Sequence, residues 1–384
     1  MDKVAAALAT SGLPAYEASF TALDAYRGLR EAGVRFMVAD GSLVDLARAF
    51  VELRYPGLPY ADAAVESPSD DVELGPTTTY FRCVDSPSAV EASIFAPLDL
   101  LRDPRRNVFL DPKGVYPSLR ENVAPMRPGP PEDQLFQAAV LLARQPYELP
   151  SGSLPPLTHN FSIDAQRDLL ALILTGPTPW RAFDLLLNAG FVGEYWPELA
   201  GLSGLGQSKD HHPEGDAWAH TMETFRYRKL PSLRLSLALL LHDVGKPVAS
   251  SVEGRRFDRH AEIGSSVAAR FLTRLGFAAS QIADVSFLVR YHMMPAALPR
   301  LPLSRLDGVI NDARFPLLLE VYKCDELSTF RGPDGYYEAC AVYRAWERNS
   351  RNPWRSADGR KLARAWMEEL PRGGGTLTRG RAAR

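Results

Sequence analysis

Six of the chain's seven histidines fall between positions 211 and 292, and most keep company with carboxylates. The sharpest element is LALLLHDVGKP, residues 237–247, in which an apolar run enters the adjacent His242 and Asp243 and stops at Gly245-Lys246-Pro247. A neutral imidazole nitrogen and a carboxylate oxygen suit Zn, Mn, Fe, Ni or Co, and with more oxygen also Mg. Burying both with neither an ion nor a partner is costly. Around this pair, in order, stand His220 in DAWAHTMETF, His260 in RFDRHAEIG, His292 in LVRYHMMP and Asp325 in VYKCDELS. Each has a plainer reading when taken singly. A lone histidine on an apolar helix is more often a core or surface residue, and Asp325 could be a helix-surface carboxylate. The ordered set H…HD…H…H…D is what points to a metal centre. His211 and His212 lie in a polar loop and receive at most a substrate-facing role; His159 receives none.

The elements that must position these donors are helices. Asp216 reads as the N-cap of a helix that puts His220 on its second turn, and His260 stands near a helix start. His292 closes a helix and Asp325 lies inside an apolar one. Donors on separate helices of one bundle can converge on its core. Before them, QLFQAAVLLARQ, SIDAQRDLLALIL and PWRAFDLLLNAGF carry apolar residues at helical spacing, the last with Gly190 at its end. The Pro-rich VAPMRPGPPEDQ separates them from a mixed N-terminal region. There LDAYRGLREAG reads as a helix ended by Gly33, RFMVADG as a strand and SLVDLARAFVELRY as a helix capped by Ser42. TTTYFRCVD and AVEASIFA read as strands, and NVFLDPKGVYPSL as a strand, a turn and an exit. The expected fold is α+β and mostly α-helical: a small α/β head (1–120), a helical neck (121–205), an all-α domain (206–345) and a basic C-terminal tail (346–384). From Arg351 onward there are nine Lys or Arg against three Asp or Glu, a charge of +6. An RNA or phosphate contact is the sharper reading of that tail, a solvated end the commoner one.

Composition narrows the rest. A length of 384 residues suits two or three domains, and a net charge of -2 argues against a chain that is basic throughout. Three cysteines without C-x-x-C spacing exclude a disulfide framework and a thiolate zinc site, and point to a reducing compartment. The longest apolar run, LSLALLL, falls far short of the ~20 residues of a spanning helix, so a cytoplasmic location without membrane contact is expected.

WAHTMETF, LALLLHDVGKP, FDRHAEIGSSVAARFLTRLGF, VRYHMMP and VYKCDELS together resemble the HD-domain phosphohydrolase superfamily. The resemblance implies that His220, His242, Asp243 and Asp325 ligate a first metal. It further implies a second metal at His260 and His292, bridged by Asp243, and thus one or two divalent ions (Mn, Ni, Co, Fe, Zn or Mg). A metal lowers the pKa of bound water to about 7 and polarises phosphoryl oxygens. Asp243 and Lys246 are the candidate catalytic residues. Lys246 would steady the transition state, or would merely be a helix C-terminal cation. Arg259 and Arg290, beside His260 and His292, are candidate substrate-binding residues or snorkelling surface arginines.

FDLLLNAGFVGEYWPELAGL followed by HHPEGDAWAHTM resembles the neck-to-HD join of bacterial tRNA nucleotidyltransferases, the CCA-adding enzymes. That family's head has a G-G-x-x-R-D loop for the triphosphate and a D-x-D for Mg²⁺. An ungapped placement puts Ser19-Phe20 on the glycine pair, Leu23 on the arginine and Gly33 and Arg35 on the metal aspartates; Asp24 survives. Arg102, Asp103 and Asn107 fit a later R-R-D-x-x-x-N stretch, and Phe136, Ala139 and Leu142 replace an arginine ladder. Asp70, Asp71 and Glu73 are possible substitute ligands, though a polar loop is the plainer reading. The expectation is therefore a metal-dependent phosphohydrolase acting on a nucleotide or RNA-end phosphate, with tRNA as a possible partner and an inactive nucleotidyltransferase-like head. The alternatives are a non-catalytic RNA- or nucleotide-binding scaffold and, less favoured, an active CCA- or poly(A)-adding enzyme. Oligomeric state is left open.

Overall fold

The computed structural model describes residues 3–359 apart from 30–32, 59, 68–76, 150–156, 158–159, 207–214, 254–256, 330–331, 353–354 and 357–358. His159, His211, His212, Asp70, Asp71, Glu73 and the tail beyond position 359 lie outside the described residues. The chain is α+β and mostly helical, with its sheet confined to the head.

The head holds helices α1 (Lys3–Ser11), α2 (Ser19–Tyr26), α3 (Leu43–Ala49) and α4 (Tyr116–Glu121) and strands β1 (Ala15–Glu17), β2 (Val34–Asp40), β3 (Ala63–Ser67), β4 (Thr77–Val84), β5 (Leu101–Asp103) and β6 (Val108–Leu110). The six strands run in the order β3-β4-β2-β1-β5-β6, with β2 and β4 parallel and every other pair antiparallel. Strand periodicity of two divides β2 between two cores. Val34, Phe36 and Val38 join the large core that runs on into the helical region, whereas Met37 and Ala39 join a small one with Val4, Leu8 and Leu46 from α1 and α3. Ser42 and Asp45 form a reciprocal cap at the start of α3.

Three sequence-based expectations fail in the head. The helix expected over LDAYRGLREAG begins earlier, at Ser19, and ends at Tyr26, because the chain turns through Gly28 at φ +67°. The helix capped by Ser42 stops at Ala49, since Phe50 is extended and buried beneath the sheet. AVEASIFA is not a strand: a 3₁₀ turn at Pro87–Ala89 precedes it, a second opens at Ala96, and Phe95 makes only an isolated bridge to Met126. Its apolar residues serve the core instead of a ladder, with Ile94 and Phe95 both buried.

Beyond the head all described elements are helical: α5 (Pro131–Arg144), α6 (Ile163–Leu174), α7 (Pro179–Asn188), α8 (Phe191–Tyr195), α9 (Pro197–Ala200), α10 (Ala217–Thr224), α11 (Leu233–Leu241), α12 (Lys246–Glu253), α13 (His260–Arg274), α14 (Ala279–Tyr291), α15 (Asp307–Ile310), α16 (Phe315–Leu327) and α17 (Asp334–Ser350), with short 3₁₀ turns between some of them. Ser162, Asp216 and Ser232 cap α6, α10 and α11 with their side chains. Ion pairs tie head to neck, Asp99 with Arg127 among them. Arg54 meets the buried Asp168 at 2.9 Å, and the buried Arg144 meets Asp24 at 2.8 Å beneath Phe20.

Candidate metal centre

Five helical segments aim six donors at one buried point. His220 projects from the middle of α10, His242 follows the last residue of α11, His260 opens α13, His292 follows α14 and Asp325 lies near the end of α16. Asp243 sits in the turn between α11 and α12. That turn owes its shape to glycine. A Cβ on Gly245 would fall 2.1 Å from the His260 carbonyl oxygen and 2.5 Å from the Gly264 nitrogen. The backbones of the HD turn and α13 therefore touch, and Asp243 arrives beside His260.

The donors form two clusters, His220–His242–Asp325 and Asp243–His260–His292, in each of which the ligand atoms lie within 4.8 Å of one another. Asp243 spans both. Its Oδ2 lies 3.2 Å from His242 Nε2 and 3.8 Å from His220 Nε2, while its Oδ1 lies 3.5 Å from His260 Nε2. Asp325 Oδ1 stands 3.0 Å from His220 Nε2 and 3.8 Å from His242 Nε2.

What lies behind each ring decides its tautomer. Three Nδ1 atoms meet the carbonyl oxygen three residues back: His242 to Leu239 at 2.7 Å, His260 to Phe257 at 2.7 Å and His292 to Val289 at 2.8 Å. A carbonyl only accepts, so Nδ1 carries the proton and Nε2 presents a lone pair inward. His220 Nδ1 lies 3.2 Å from Ser328 Oγ, and that hydroxyl donates its own proton to the Asp325 carbonyl at 2.6 Å. It too can only accept from the ring. Three imidazole lone pairs thus face one another and two carboxylates, and His220 Nε2, 3.0 Å from Asp325 Oδ1, would join them on giving up its proton to an ion. Metal-bound histidines are commonly held this way, with the far ring nitrogen donating to an oxygen that fixes the ring.

The donor set calls for cations. His260 Nε2 and His292 Nε2 stand 3.2 Å apart with no proton available between them in these tautomers. His242 Nε2 is buried between two carboxylate oxygens without hydrogen-bond geometry to either. Burial, together with His242 and His260, pushes the His292 imidazole down to about 4, and burial lowers His260 as well, so both are neutral donors near pH 7. Burial works against ionisation of Asp243 and Asp325. The surrounding imidazoles, joined by Lys246 for Asp243, outweigh it and hold both carboxyls below their ordinary value. The residues present fit one or two divalent ions.

The remaining site candidates scatter. Lys246 Nζ reaches Asp243 Oδ2 at 2.6 Å, and the residue opens α12, so its reading as a helix C-terminal cation is corrected. Arg259 is an exposed residue at φ +63° whose guanidinium pairs with Glu262 at 2.8 Å. Arg290 is exposed with its guanidinium over the Tyr291 ring. Neither is brought to the donor cluster by a contact among the described residues. Sequence reasoning missed Ser328. Its spacing of three from Asp325 on an apolar helix was the available signal.

The head is arranged differently. Glu17, Thr21, Asp24, Arg102 and Arg144 line a cavity of about 250 Å³. Arg102 bonds Glu17 at 2.7 Å and Asn107 at 2.9 Å, and Asp24 accepts from Arg144 and Gln145. Gly33 and Arg35 stand at the start of β2, where neither can hold a cation.

The HD domain family matches residues 217–313. The Multifunctional CCA protein of Halorhodospira halophila is 39% identical over 127 residues, 32% of this chain and 30% of that protein. The CC-adding tRNA nucleotidyltransferase of Thermus thermophilus is 36% identical over 177 residues, 42% of this chain and 39% of that protein. The match thus spans well under half the length of either relative. Among solved structures, the Thermotoga maritima CCA-adding enzyme complexed with tRNA aligns over 98% of this chain and 86% of its own, at 11% identity and a TM-score of 0.37. The expectation of a phosphohydrolase with an inactive head is overturned by these relatives, one of which is named a CC-adding tRNA nucleotidyltransferase. The inference of inactivity rested on one ungapped placement of two short motifs, and the head cavity keeps the acids Glu17 and Asp24.

Proposed function

We propose that this chain, which carries an HD domain and is homologous to CCA-adding tRNA nucleotidyltransferases, is a metal-dependent enzyme that adds nucleotides to the 3′ end of tRNA. The kinship to a CC-adding enzyme and a multifunctional CCA protein carries the reading. Nucleotidyl transfer needs carboxylates to hold a divalent ion against the triphosphate and cations to neutralise it. Glu17 and Asp24 are assigned the first task, Arg102 and Arg144 the second, all around one cavity. A tRNA substrate and three cysteines without disulfide partners agree with a cytoplasmic location. The test is incorporation of CTP and ATP into tRNA transcripts lacking their last three or fewer nucleotides, with Mg²⁺ or Mn²⁺. Incorporation is expected. Its absence under conditions in which a CC-adding relative works overturns the reading.

One observation favours a second activity in the same chain, hydrolysis of a phosphate ester at the HD centre: four imidazoles and two carboxylates converge there. Bound divalent ions would lower the pKa of water and neutralise phosphoryl oxygens. The chain's own part is to keep Nε2 of His242, His260 and His292 deprotonated by the bond behind each ring, to span both ligand sets with Asp243, and to orient that carboxylate with Lys246. Release of phosphate from nucleoside monophosphates, or opening of 2′,3′-cyclic nucleotides, tests it. No turnover with any divalent metal removes this second activity.

A further inference from the structure

An open pocket of about 400 Å³ lies between the start of α7 and the loop that joins α10 to α11, and shares no lining residue with either site above. Its walls are Pro177, Trp180, Phe225, Arg226, Arg228, Lys229 and Pro231: two aromatic rings, three cations and no acid. Arg226 lies with its guanidinium 4.4 Å from the Trp180 ring centroid and is partly neutralised by Glu223 at 2.8 Å. Lys229 is exposed, and its ammonium forms no ion pair with a described residue. Arg228 is the unusual member. Its guanidinium donates to the carbonyls of Leu174 (2.6 Å) and Gly176 and to Ser236 Oγ, and meets no carboxylate among the described residues. Those contacts cap the end of α6 and leave a whole positive charge at the pocket wall. Burial, with Arg144 nearby, pushes that guanidinium down to about 9, so it still carries its charge near pH 7.

A cleft with unneutralised cations and a ring presented for stacking suits a nucleotide unit, its base on an aromatic face and its phosphate against the cations. Glu223 and Glu320 stand behind the wall, on Arg226 and on the Lys229 backbone N–H, and the alternative reading, a structural joint, accounts for Arg228 but not for the exposed Lys229 ammonium. We propose that this pocket is a contact site for the RNA strand, taking one nucleotide of the bound tRNA with its base against Trp180 and its phosphodiester against Arg226, Lys229 and the charge of Arg228. This deepens the tRNA reading above and rests on it. It gives the neck a role in holding RNA that does not depend on the basic tail.

The experiment measures binding of full-length protein to a labelled tRNA transcript lacking its terminal CCA, across salt of about 50 to 200 mM. Trp180→Ala is expected to weaken binding by about fivefold or more. Lys229→Ala is expected to lower the slope of log affinity against log salt by about one. Lys229 is exposed, so its variants keep the test open should Trp180→Ala loosen the fold. Titration with AMP distinguishes the source of the nucleotide. AMP binding lost in Trp180→Ala, with tRNA affinity and salt slope unchanged in both variants, overturns the proposal in favour of a free-nucleotide site. Wild-type affinity and slope in both variants, with or without AMP binding, overturns it alone. Failure of the wild-type protein to bind tRNA removes it together with the function on which it rests.

Discussion

The HD centre and the head cavity both gather acids at the ends of helices and strands, yet they treat charge in opposite ways. In the head the three buried acids each meet an arginine: Glu17 with Arg102, Asp24 with Arg144, Asp99 with Arg127. In the HD centre Lys246 is the one Lys or Arg paired with Asp243 or Asp325 among the described ion pairs, and the other neighbours are imidazoles. Those three acids are therefore balanced by an arginine each, whereas the HD cluster brings lone pairs together and calls for a cation. A buried pair that loses one partner leaves an uncompensated charge. A donor cluster that loses one ligand instead loses its ion.

The largest expected effect separates the two regions by function. Asp243→Ala removes the residue that spans both ligand sets, and should lower phosphate-ester hydrolysis by about a thousandfold, in line with loss of a metal-held electrophile. Nucleotide incorporation should stay within about twofold. A parallel fall in both activities would show that they share one site. Next is Asp24→Ala, which strands the buried Arg144 and should destabilise the fold by about 3–5 kcal/mol, read by denaturant unfolding. The metal held at the HD centre should not change. An unfolding midpoint equal to wild type would mean that the Asp24–Arg144 pair does not join head to neck.

The third effect sharpens the contrast through pH. His292 titrates at about 4 in the folded chain against an ordinary 6.5. A lowered histidine means that the unfolded state binds the extra proton first, so the stability linked to it is full above pH 6.5 and is lost as pH falls towards 4. That amounts to roughly 3 kcal/mol in the metal-stripped protein. Thermal unfolding of the chelated protein across that range measures it, and His292→Asn should flatten the dependence. The smallest effect is Ser328→Ala, which leaves the His220 Nδ1–H without its acceptor. Metal affinity should fall about tenfold with the fold intact, as it does elsewhere when the hydrogen-bond partner behind a metal ligand is removed.

The same contrast explains what the sequence disclosed. The HD residues were legible because each is an unusual type at a helix end or in an apolar run, and the local signals around them are strong: Asp216 caps α10, and Gly245 stands in the turn between α11 and α12 where the backbones touch. The neck helices were legible from apolar spacing. The head was harder. β1, β3 and β5 are three to five residues long and depend on neighbours distant in sequence for their pairing. AVEASIFA has strand composition, but its apolar residues fill a core beside 3₁₀ turns. Arg144 gave no sign of its role, because its partner Asp24 stands 120 residues earlier. The missing metal aspartates led to the expectation of an idle head, with an active enzyme as the less favoured alternative, and kinship to a CC-adding tRNA nucleotidyltransferase corrects it.

The central claim is that the six HD donors hold divalent ions, and metal analysis of the purified full-length chain tests it most directly. Elemental analysis beside an accurate protein concentration should find about two equivalents of a divalent transition metal or Mg²⁺ per chain, falling to near zero in Asp243→Ala. A wild-type protein that takes up no metal after incubation with Mn, Ni, Co, Fe, Zn and Mg salts, or an Asp243→Ala variant that keeps the full complement, would contradict it.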